Sequence, residues 1–271
     1  MLGRTVTRDD IQSLRDAYDA QLRAHVHDRV PDSVRFERDG PLLRTTGFGN
    51  RGWIEYHDLG GLDGAELDAL IARQVAFFRQ RGERFEWKLH GHDRPAELPE
   101  RLRAAGFVPE ETETVVIGRV DAMASEPTLP DDVVIREVRE RGDFERIARL
   151  EESIWGNDHS WVVDDLAEER AADPEGLRIF LAEAGDLTLS AGWVRFPSDT
   201  EFVTLWGGAT MPDWRGRGIY RALVARRAQL AAERGRRFIE VDASDDSRPI
   251  LERLGFVAVT TTTPFVWSPD P

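Results

Sequence analysis

The residues best suited to do chemistry lie in the segment MPDWRGRGIYRALVARR, residues 211–227. Five arginines fall between residues 215 and 227, with Gly216 and Gly218 among them. A glycine-rich turn that opens a helix presents unpaired backbone N–H groups and the positive end of the helix dipole. Residues 213–237 contain eight arginines and two acidic residues, whereas the whole chain carries a formal charge of −14. This pattern predicts a polyanion site, most simply for a pyrophosphate, with a solvated basic helix face as the alternative.

The first half of the chain contains a similar glycine turn with the opposite charge. The segment HDLGGLDGAELDALIARQ keeps the glycines and the helix, but it carries four acidic residues, namely Asp58, Asp63, Glu66 and Asp68. Carboxylates at this position repel a phosphate. If the two halves derive from one unit, only the second half kept an anion site.

The chain consists of two halves that repeat each other. RGERF at 81–85 matches RGRRF at 234–238, and a strand-like segment, a proline-containing segment and a short helix ending in Gly-Phe follow each copy. Both copies then enter a strand rich in threonine and valine. Between the halves, DAMASEPTLPDD has the prolines and small polar residues of a linker. The sequence therefore predicts a first domain over 1–120, a linker over 121–132 and a second domain over 133–271.

Each half is expected to be mixed α/β, with an antiparallel meander that leads into a strand–helix–strand crossover. In the first half, Thr7 is a plausible N-cap for the opening helix, and Gly82 is placed to end the helix GAELDALIARQVAFFRQR. In the second half, Asp143 is expected to cap the helix DFERIARLEESIW. The strand EFVTLWGGAT leads into the arginine loop.

Composition limits the classes of function. The chain has no cysteine, which excludes disulfides, thiolate metal sites and cysteine nucleophiles. Its net negative charge argues against nucleic acid or an anionic membrane as the main partner. No apolar run approaches the roughly 18 residues of a membrane span, and the first residues lack an apolar leader segment, so the sequence predicts a cytoplasmic protein. His90 and His92 lack a second ligand cluster, and we expect no metal.

The arginine loop and the last helix together resemble the acetyl-CoA core of the GNAT superfamily of N-acetyltransferases. PDWRGRGIYRALV is followed about thirty residues later by SRPILERLGF, and Arg215 and Gly218 match the family pattern Arg/Gln-x-x-Gly-x-Gly/Ala. Tyr220 stands where glycine or alanine is usual, and we expect its side chain to pack beneath the loop rather than to stack on the cofactor. The resemblance covers residues 132–268, and the first half resembles a degenerate second copy. It implies an α/β fold with a mixed sheet, built from two tandem GNAT folds.

The resemblance also implies an activity, the transfer of an acetyl group from acetyl-CoA to a primary amine in a ternary complex. The backbone of Ala209, Thr210 and Met211 would bond the pantetheine arm like an added strand. A bulge at Gly207 and Gly208 is consistent with a splayed strand next to that arm. The pyrophosphate would lie on the loop formed by Arg215, Gly216, Arg217, Gly218, Ile219, Tyr220 and Arg221.

The candidate catalytic residues are less usual for the family. Leu251 replaces the tyrosine that often serves as general acid. Because a thiol has a pKa of about 8.5, the thiolate can leave without a side-chain donor. Ser247, one turn earlier, is either an alternative donor or the N-cap of its helix. Glu240 and Asp242 fall on one face of their strand and are candidate bases, with a salt-bridged or solvated face as the alternative.

The segment WGNDHSW, residues 155–161, is a further candidate because the corresponding loop of the GNAT fold lines the acceptor pocket. His159 has a suitable intrinsic pKa for a base. Aromatic and polar residues beside it are candidate substrate contacts, namely Trp155, Asn157, Asp158 and Trp161. Core packing of the tryptophans is the alternative.

Other interpretations remain open at this stage. The absence of a tyrosine at position 251 and the degenerate first half are also compatible with an acyl-CoA-binding regulatory module that has no activity. The acceptor is a small amine, with an amino sugar like that of mycothiol synthase or an aminoglycoside as alternatives. A dinucleotide-dependent oxidoreductase is disfavoured because the glycine loop lies late in the chain and lacks the usual fingerprint. A monomer with its halves packed as a pseudo-dimer and a homodimer are both compatible with the sequence.

Overall fold

The computed structural model describes residues 7–269, and within this range a single mixed sheet of twelve strands is flanked by helices on both faces. The helices are α1 Arg8–Gln21, α2 Gly64–Arg81, α3 Leu98–Ala104, α4 Val120–Met123, α5 Arg141–Trp155, α6 Trp161–Ala172, α7 Ile219–Glu233 and α8 Arg248–Leu254. The strands are β1 Arg35–Asp39, β2 Leu42–Thr46, β3 Gly52–Glu55, β4 Phe85–His90, β5 Val108–Pro109, β6 Glu113–Arg119, β7 Val134–Val138, β8 Leu177–Ala184, β9 Leu187–Arg195, β10 Phe202–Thr210, β11 Phe238–Ala243 and β12 Val257–Trp267. None of the helices in this range is long and apolar enough to cross a membrane.

The two halves exchange their last strands. The order across the sheet is β1-β2-β3-β4-β12-β6-β11-β10-β9-β8-β7, with β5 paired to β12 off this path. Strand β12, from the end of the chain, runs antiparallel to β4 of the first half, where Thr262 lies opposite His90. Strand β6, from the first half, runs antiparallel to β11, where Val115 lies opposite Asp242. Neither half completes its sheet without a strand from the other.

The internal repeat corresponds to two copies of one strand arrangement. Phe85 and Phe238, which end the matched RGERF and RGRRF segments, are the first residues of β4 and β11. Each of these strands is parallel to the strand before it, with Gly52 opposite Phe85 and Phe202 opposite Phe238. The predicted linker 121–132 begins inside α4, and Leu129 packs against the core of the second half. The boundaries of the two domains remain a prediction, and their ends at 1–6 and 270–271 lie outside the described residues.

Successive side chains of a strand point to opposite faces of the sheet, and this alternation divides the core into two layers. Val115 and Ile117 of β6 pack with Tyr18 of α1, whereas Val116 belongs to the cluster that contains α7 and Leu251 of α8. The pairing registers place α2 and α3 on the same face as α7 and α8, and they place α1 with α5 and α6 on the opposite face.

The local helix signals were mostly confirmed. Thr7 forms a capping box with Asp10, and Gly82 ends α2 in the left-handed conformation. The predicted cap of α5 was wrong, because the helix begins at Arg141 and Asp143 lies in its first turn. There the Asp143 carboxylate accepts a hydrogen bond of 2.7 Å from Arg136 of β7. It therefore forms an ion pair between strand and helix and does not cap the helix.

Candidate active site

The two parallel strands β10 and β11 part to form a wedge. They pair only from Phe202 to Thr204, the last pair being Thr204 with Glu240. Beyond that point β10 continues to Thr210 with β9 as its only strand partner. A register shift between Gly207 and Thr210 marks the predicted bulge, and both central glycines have positive φ. The free edge of β10 is therefore open along the part of the strand before the arginine loop.

Two side chains of α7 support the bulge from below. A Cβ on Gly208 would lie 2.7 Å from a ring carbon of Tyr220, so the tyrosine packs directly under the strand, in agreement with its expected position. Arg227 is 1 % exposed and donates hydrogen bonds of 3.1 Å to the carbonyls of Trp193 and Trp206. Burial lowers the pKa of Arg227 to about 10. These contacts fix β10 and β9 where the wedge opens.

We expect Gly208→Ala to destabilise the protein more than Gly216→Ala. Both glycines have positive φ, so either alanine is strained by about 1–2 kcal/mol. Only at Gly208 does the new Cβ also collide with Tyr220, whereas at Gly216 no atom lies within 4 Å. Thermal denaturation of the two variants measures the difference, and equal melting temperatures would contradict this role of Tyr220.

The arginine loop has the conformation of an anion site. A 3-10 turn, Pro212–Trp214, leads through Gly216 and Gly218 into the 15-residue helix α7, which has no acidic residue in its first turn. Arg215 Nε donates to the carbonyl of Thr210 at 3.1 Å, and the Arg217 guanidinium lies 4.6 Å from the Trp214 ring. None of the ion pairs in residues 7–269 involves an arginine of this loop. The loop thus combines free helix amides with cations that no carboxylate neutralises.

The corresponding loop of the first half is occupied by its own carboxylate. Asp58 Oδ1 accepts a hydrogen bond of 2.6 Å from the Gly60 N–H. That bond, together with the neighbouring His57, lowers the pKa of Asp58 below its usual range. One backbone N–H of this turn is therefore already bonded to a carboxylate of the same turn.

A cavity of about 180 Å³ lies on the sheet face that carries α1 and α6, and both halves line it. The second half contributes Glu169, Arg195, Thr204, Trp206, Glu240 and Asp242, and the first half contributes Tyr18, Arg23, Trp53, Glu55, Lys88 and His90 among others. Glu240 is therefore at the apex of the wedge and in the wall of the cavity.

The electrostatics around Glu240 favour proton transfer. Glu240 is 6 % exposed, and burial raises the pKa of its carboxyl well above the usual range; the charge of Asp242 raises it further. Lys88 Nζ donates to Asp242 Oδ2 at 2.6 Å, and the other Asp242 oxygen, Oδ1, is buried without a hydrogen-bond partner in residues 7–269. Burial also raises the pKa of Glu55 and, to about 7, that of Glu113. A carboxyl with such a pKa is a stronger base than an exposed glutamate.

The structure brings together some of the residues predicted from sequence. Glu240 and Asp242 line the cavity. Ser247 lies at the start of α8 without a capping bond, and its hydroxyl contacts Ser244. Leu251 is fully buried in the core of the second half. The 155–161 segment lies outside the cavity lining; this holds for Trp155, Asn157, Asp158, His159 and Trp161, of which Trp155 is 53 % exposed. Their predicted roles remain untested.

Sequence reasoning missed the residues that the first half places in the cavity. Lys88 is the single lysine of the chain, and that count by itself indicates no role. A usable signal was the alternation of Glu86, Lys88 and His90 along β4, because polar residues at every second position of a buried strand indicate a polar space on one face. His90 Nε2 bonds the Tyr18 hydroxyl at 2.9 Å, and His92 bonds Asp19. In residues 7–269 no group of three or more His, Asp or Glu side chains is arranged to hold a metal ion.

The comparisons with known proteins agree with this geometry. Residues 156–268 match the model of the acetyltransferase (GNAT) domain. This part of the chain is therefore similar to a GNAT acetyltransferase domain. No curated protein sequence matches it.

Several solved structures resemble the whole chain. A GCN5-related N-acetyltransferase from Kribbella flavida aligns with a TM-score of 0.64 and 14 % identity, over 100 % of this chain and 98 % of that chain. A tandem GNAT protein from the clavulanic acid biosynthesis pathway aligns with a TM-score of 0.63 and 13 % identity, over 99 % of this chain and 98 % of that chain. A protein of unknown function from Staphylococcus epidermidis aligns with a TM-score of 0.64 and 11 % identity, over 90 % of this chain and 96 % of that chain. At these identities the likeness establishes the fold, a mixed α/β sheet of the tandem GNAT type.

Proposed function

We propose that this protein is an acetyl-CoA-dependent N-acetyltransferase that acts on a primary amine of a small molecule. The proposal depends on one observation: Glu240 closes the wedge between β10 and β11 and also lines the cavity on the other side of the sheet. A thioester in the wedge and an amine in the cavity would meet at this carboxyl group.

The donor would bind along the free edge of β10. The backbone of Ala209, Thr210 and Met211 would bond a pantetheine arm through groups other than the Met211 N–H, which bonds the Leu189 carbonyl. The loop amides that precede α7 would bond a pyrophosphate. Arg215 and Arg217 would add charge-assisted hydrogen bonds to the phosphates. The packing of Tyr220 beneath Gly208 explains how the loop accepts this residue where glycine or alanine is usual.

The transfer follows from the position of Glu240. In its ionised form, Glu240 takes a proton from the acceptor ammonium group, directly or through one water molecule. The free amine attacks the thioester carbonyl, and a backbone N–H of the open β10 edge stabilises the resulting oxyanion. The attack forms the C–N bond, and collapse of the intermediate breaks the C–S bond. The second proton of the attacking nitrogen passes to the departing thiolate or to water, and the buried Leu251 takes no part.

We assign residues 1–120 to a degenerate first GNAT unit and 133–271 to the acetyl-transferring unit. We assign no anion site to the first unit, because its glycine turn carries four acidic residues and Asp58 already bonds the Gly60 N–H. That unit nevertheless supplies one wall of the proposed acceptor cavity and the strand β6 that borders β11.

Calorimetric titration with acetyl-CoA, CoA and a nicotinamide dinucleotide tests the proposal. We expect one acetyl-CoA site per chain, competition by CoA and no binding of the dinucleotide. An amine panel assayed for thiol release then identifies the acceptor. Absence of CoA binding would contradict the proposed function, and binding without turnover of any amine would favour a regulatory module.

A further inference from the structure

The single lysine of the chain lies in the proposed active site, although it belongs to the first half. Lys88 is on β4, and its Nζ is 2.6 Å from Asp242 Oδ2 on β11. Both side chains are 17 % exposed. The contact exists because the exchanged strands β12 and β6 join the two half-sheets between β4 and β11.

Lys88 is the cation that is bonded to the buried carboxyl pair. Burial by itself lowers the pKa of Lys88, but the charges of Asp242, Tyr18, Glu240 and Glu55 outweigh it, and the pKa lies well above its usual range. Arg23, the other cation near this cluster, is engaged by Asp93 at 2.7 Å. The charged and titratable groups that face the lysine and the pair are Tyr18 and Arg23 on or just after α1, Glu55 on β3, His90 on β4 and Glu113 on β6.

Two neighbouring carboxyls on one face of a strand influence each other's proton affinity, and a cation bonded to one of them favours the charged form of that group. Because Lys88 bonds Asp242 and not Glu240, its positive charge lies closer to the Asp242 carboxyl than to that of Glu240. The same lysine opposes the rise in the pKa of Glu240 that burial and Asp242 cause. Removing it leaves Asp242 buried beside a second carboxyl without a cation.

We propose that Lys88 is a positioning residue of the acyl-transfer site, which holds the charge on Asp242 so that Glu240 is the carboxyl that exchanges the proton of the acceptor amine. This inference rests on the proposed function. It makes the site of the second half incomplete without the first half, because a residue of the degenerate unit sets the proton affinity of the base.

Three variants test the proposal by their pH profiles. Lys88→Met keeps the apolar stem and removes the charge, and we expect it to shift the pH dependence of kcat/KM upward by about one unit or more. The affinity for acetyl-CoA should stay unchanged in calorimetry, because the lysine lies on the acceptor side. Lys88→Arg should restore much of the original profile, and Lys88→Met combined with Asp242→Asn should bring it back toward the wild-type position. A Lys88→Met profile identical to that of the wild type would overturn the proposal.

A measurement without turnover separates this proposal from the proposed function. Since the chain has one lysine, ¹³C-lysine labelling gives one side-chain resonance in an untagged protein. We expect the chemical shift of this resonance, plotted against pH, to show an inflection where the pair of Glu240 and Asp242 loses its proton. The Glu240→Gln variant should lack that inflection. If no amine is acetylated but the inflection is present, the proposed function fails and the coupling stands. A resonance that is insensitive to Glu240→Gln would refute the coupling, even where Lys88→Met does not fold.

Discussion

Replacing Glu240 by glutamine should lower kcat for acetyl transfer by about 10²- to 10⁴-fold and leave acetyl-CoA binding intact. Glutamine has the size of glutamate but cannot take a proton at neutral pH. The carboxyl lies at the last paired position of the wedge, where a thioester and an amine would meet. Thiol release measures the rate, and calorimetry measures the binding. In the wild type, kcat/KM should rise as the pH increases through the raised pKa of Glu240, because only the ionised carboxyl is a base.

Glu151→Gln is the matched control. Glu151 is also buried, at 3 % exposed, and burial raises its pKa to about 7, but it lies on α5 outside the cavity lining. Its replacement should leave the rate unchanged. Because its folded pKa exceeds the unfolded value, Glu151 contributes a loss of stability as the pH rises from about 4.5 to about 7. This loss should be smaller in Glu151→Gln, where other buried carboxyls such as Glu113 still contribute. Thermal denaturation across that range checks the sign. If Glu151→Gln lost as much rate as Glu240→Gln, the rate would depend on having a buried carboxyl anywhere in the fold and not on the position of Glu240.

Reversing two charges in the arginine loop, Arg215→Glu with Arg217→Glu, should weaken acetyl-CoA binding by about 10²-fold or more. A hydrogen bond to a charged partner contributes about 1.5–3 kcal/mol, and the new carboxylates also repel the phosphates. In the structure these arginines have no carboxylate partner, so their replacement breaks no ion pair among the described residues. Calorimetric titration gives the dissociation constant, and a circular dichroism melt confirms that the variant is folded.

The first half provides the control for this prediction. Asp63 and Glu66 are exposed residues of the acidic loop, and Asp63→Arg with Glu66→Arg reverses the same number of charges in the equivalent place. This variant should bind acetyl-CoA like the wild type, because Asp58 still occupies the Gly60 amide. Equal affinity of both double variants would place the cofactor elsewhere in the chain.

The sequence by itself determined the features that depend on local chemistry. The glycine loop, the capping box at Thr7 and the helix end at Gly82 follow from backbone conformations that few residues favour. The repeat predicted two similar units, and a period of two placed Glu240 and Asp242 on one face of their strand.

Only the tertiary structure decided which strands are neighbours. Strands β6 and β12 are both rich in threonine and valine and follow the same Gly-Phe signal, so no local pattern tells which half-sheet each one joins. The exchange brings Lys88 to Asp242, across 154 positions of the chain. It also lets the first half, rather than the predicted 155–161 segment, form much of the cavity wall. Strand pairing is decided by burial and hydrogen bonding over the whole sheet, and a charge pair formed across it leaves no local pattern in the sequence.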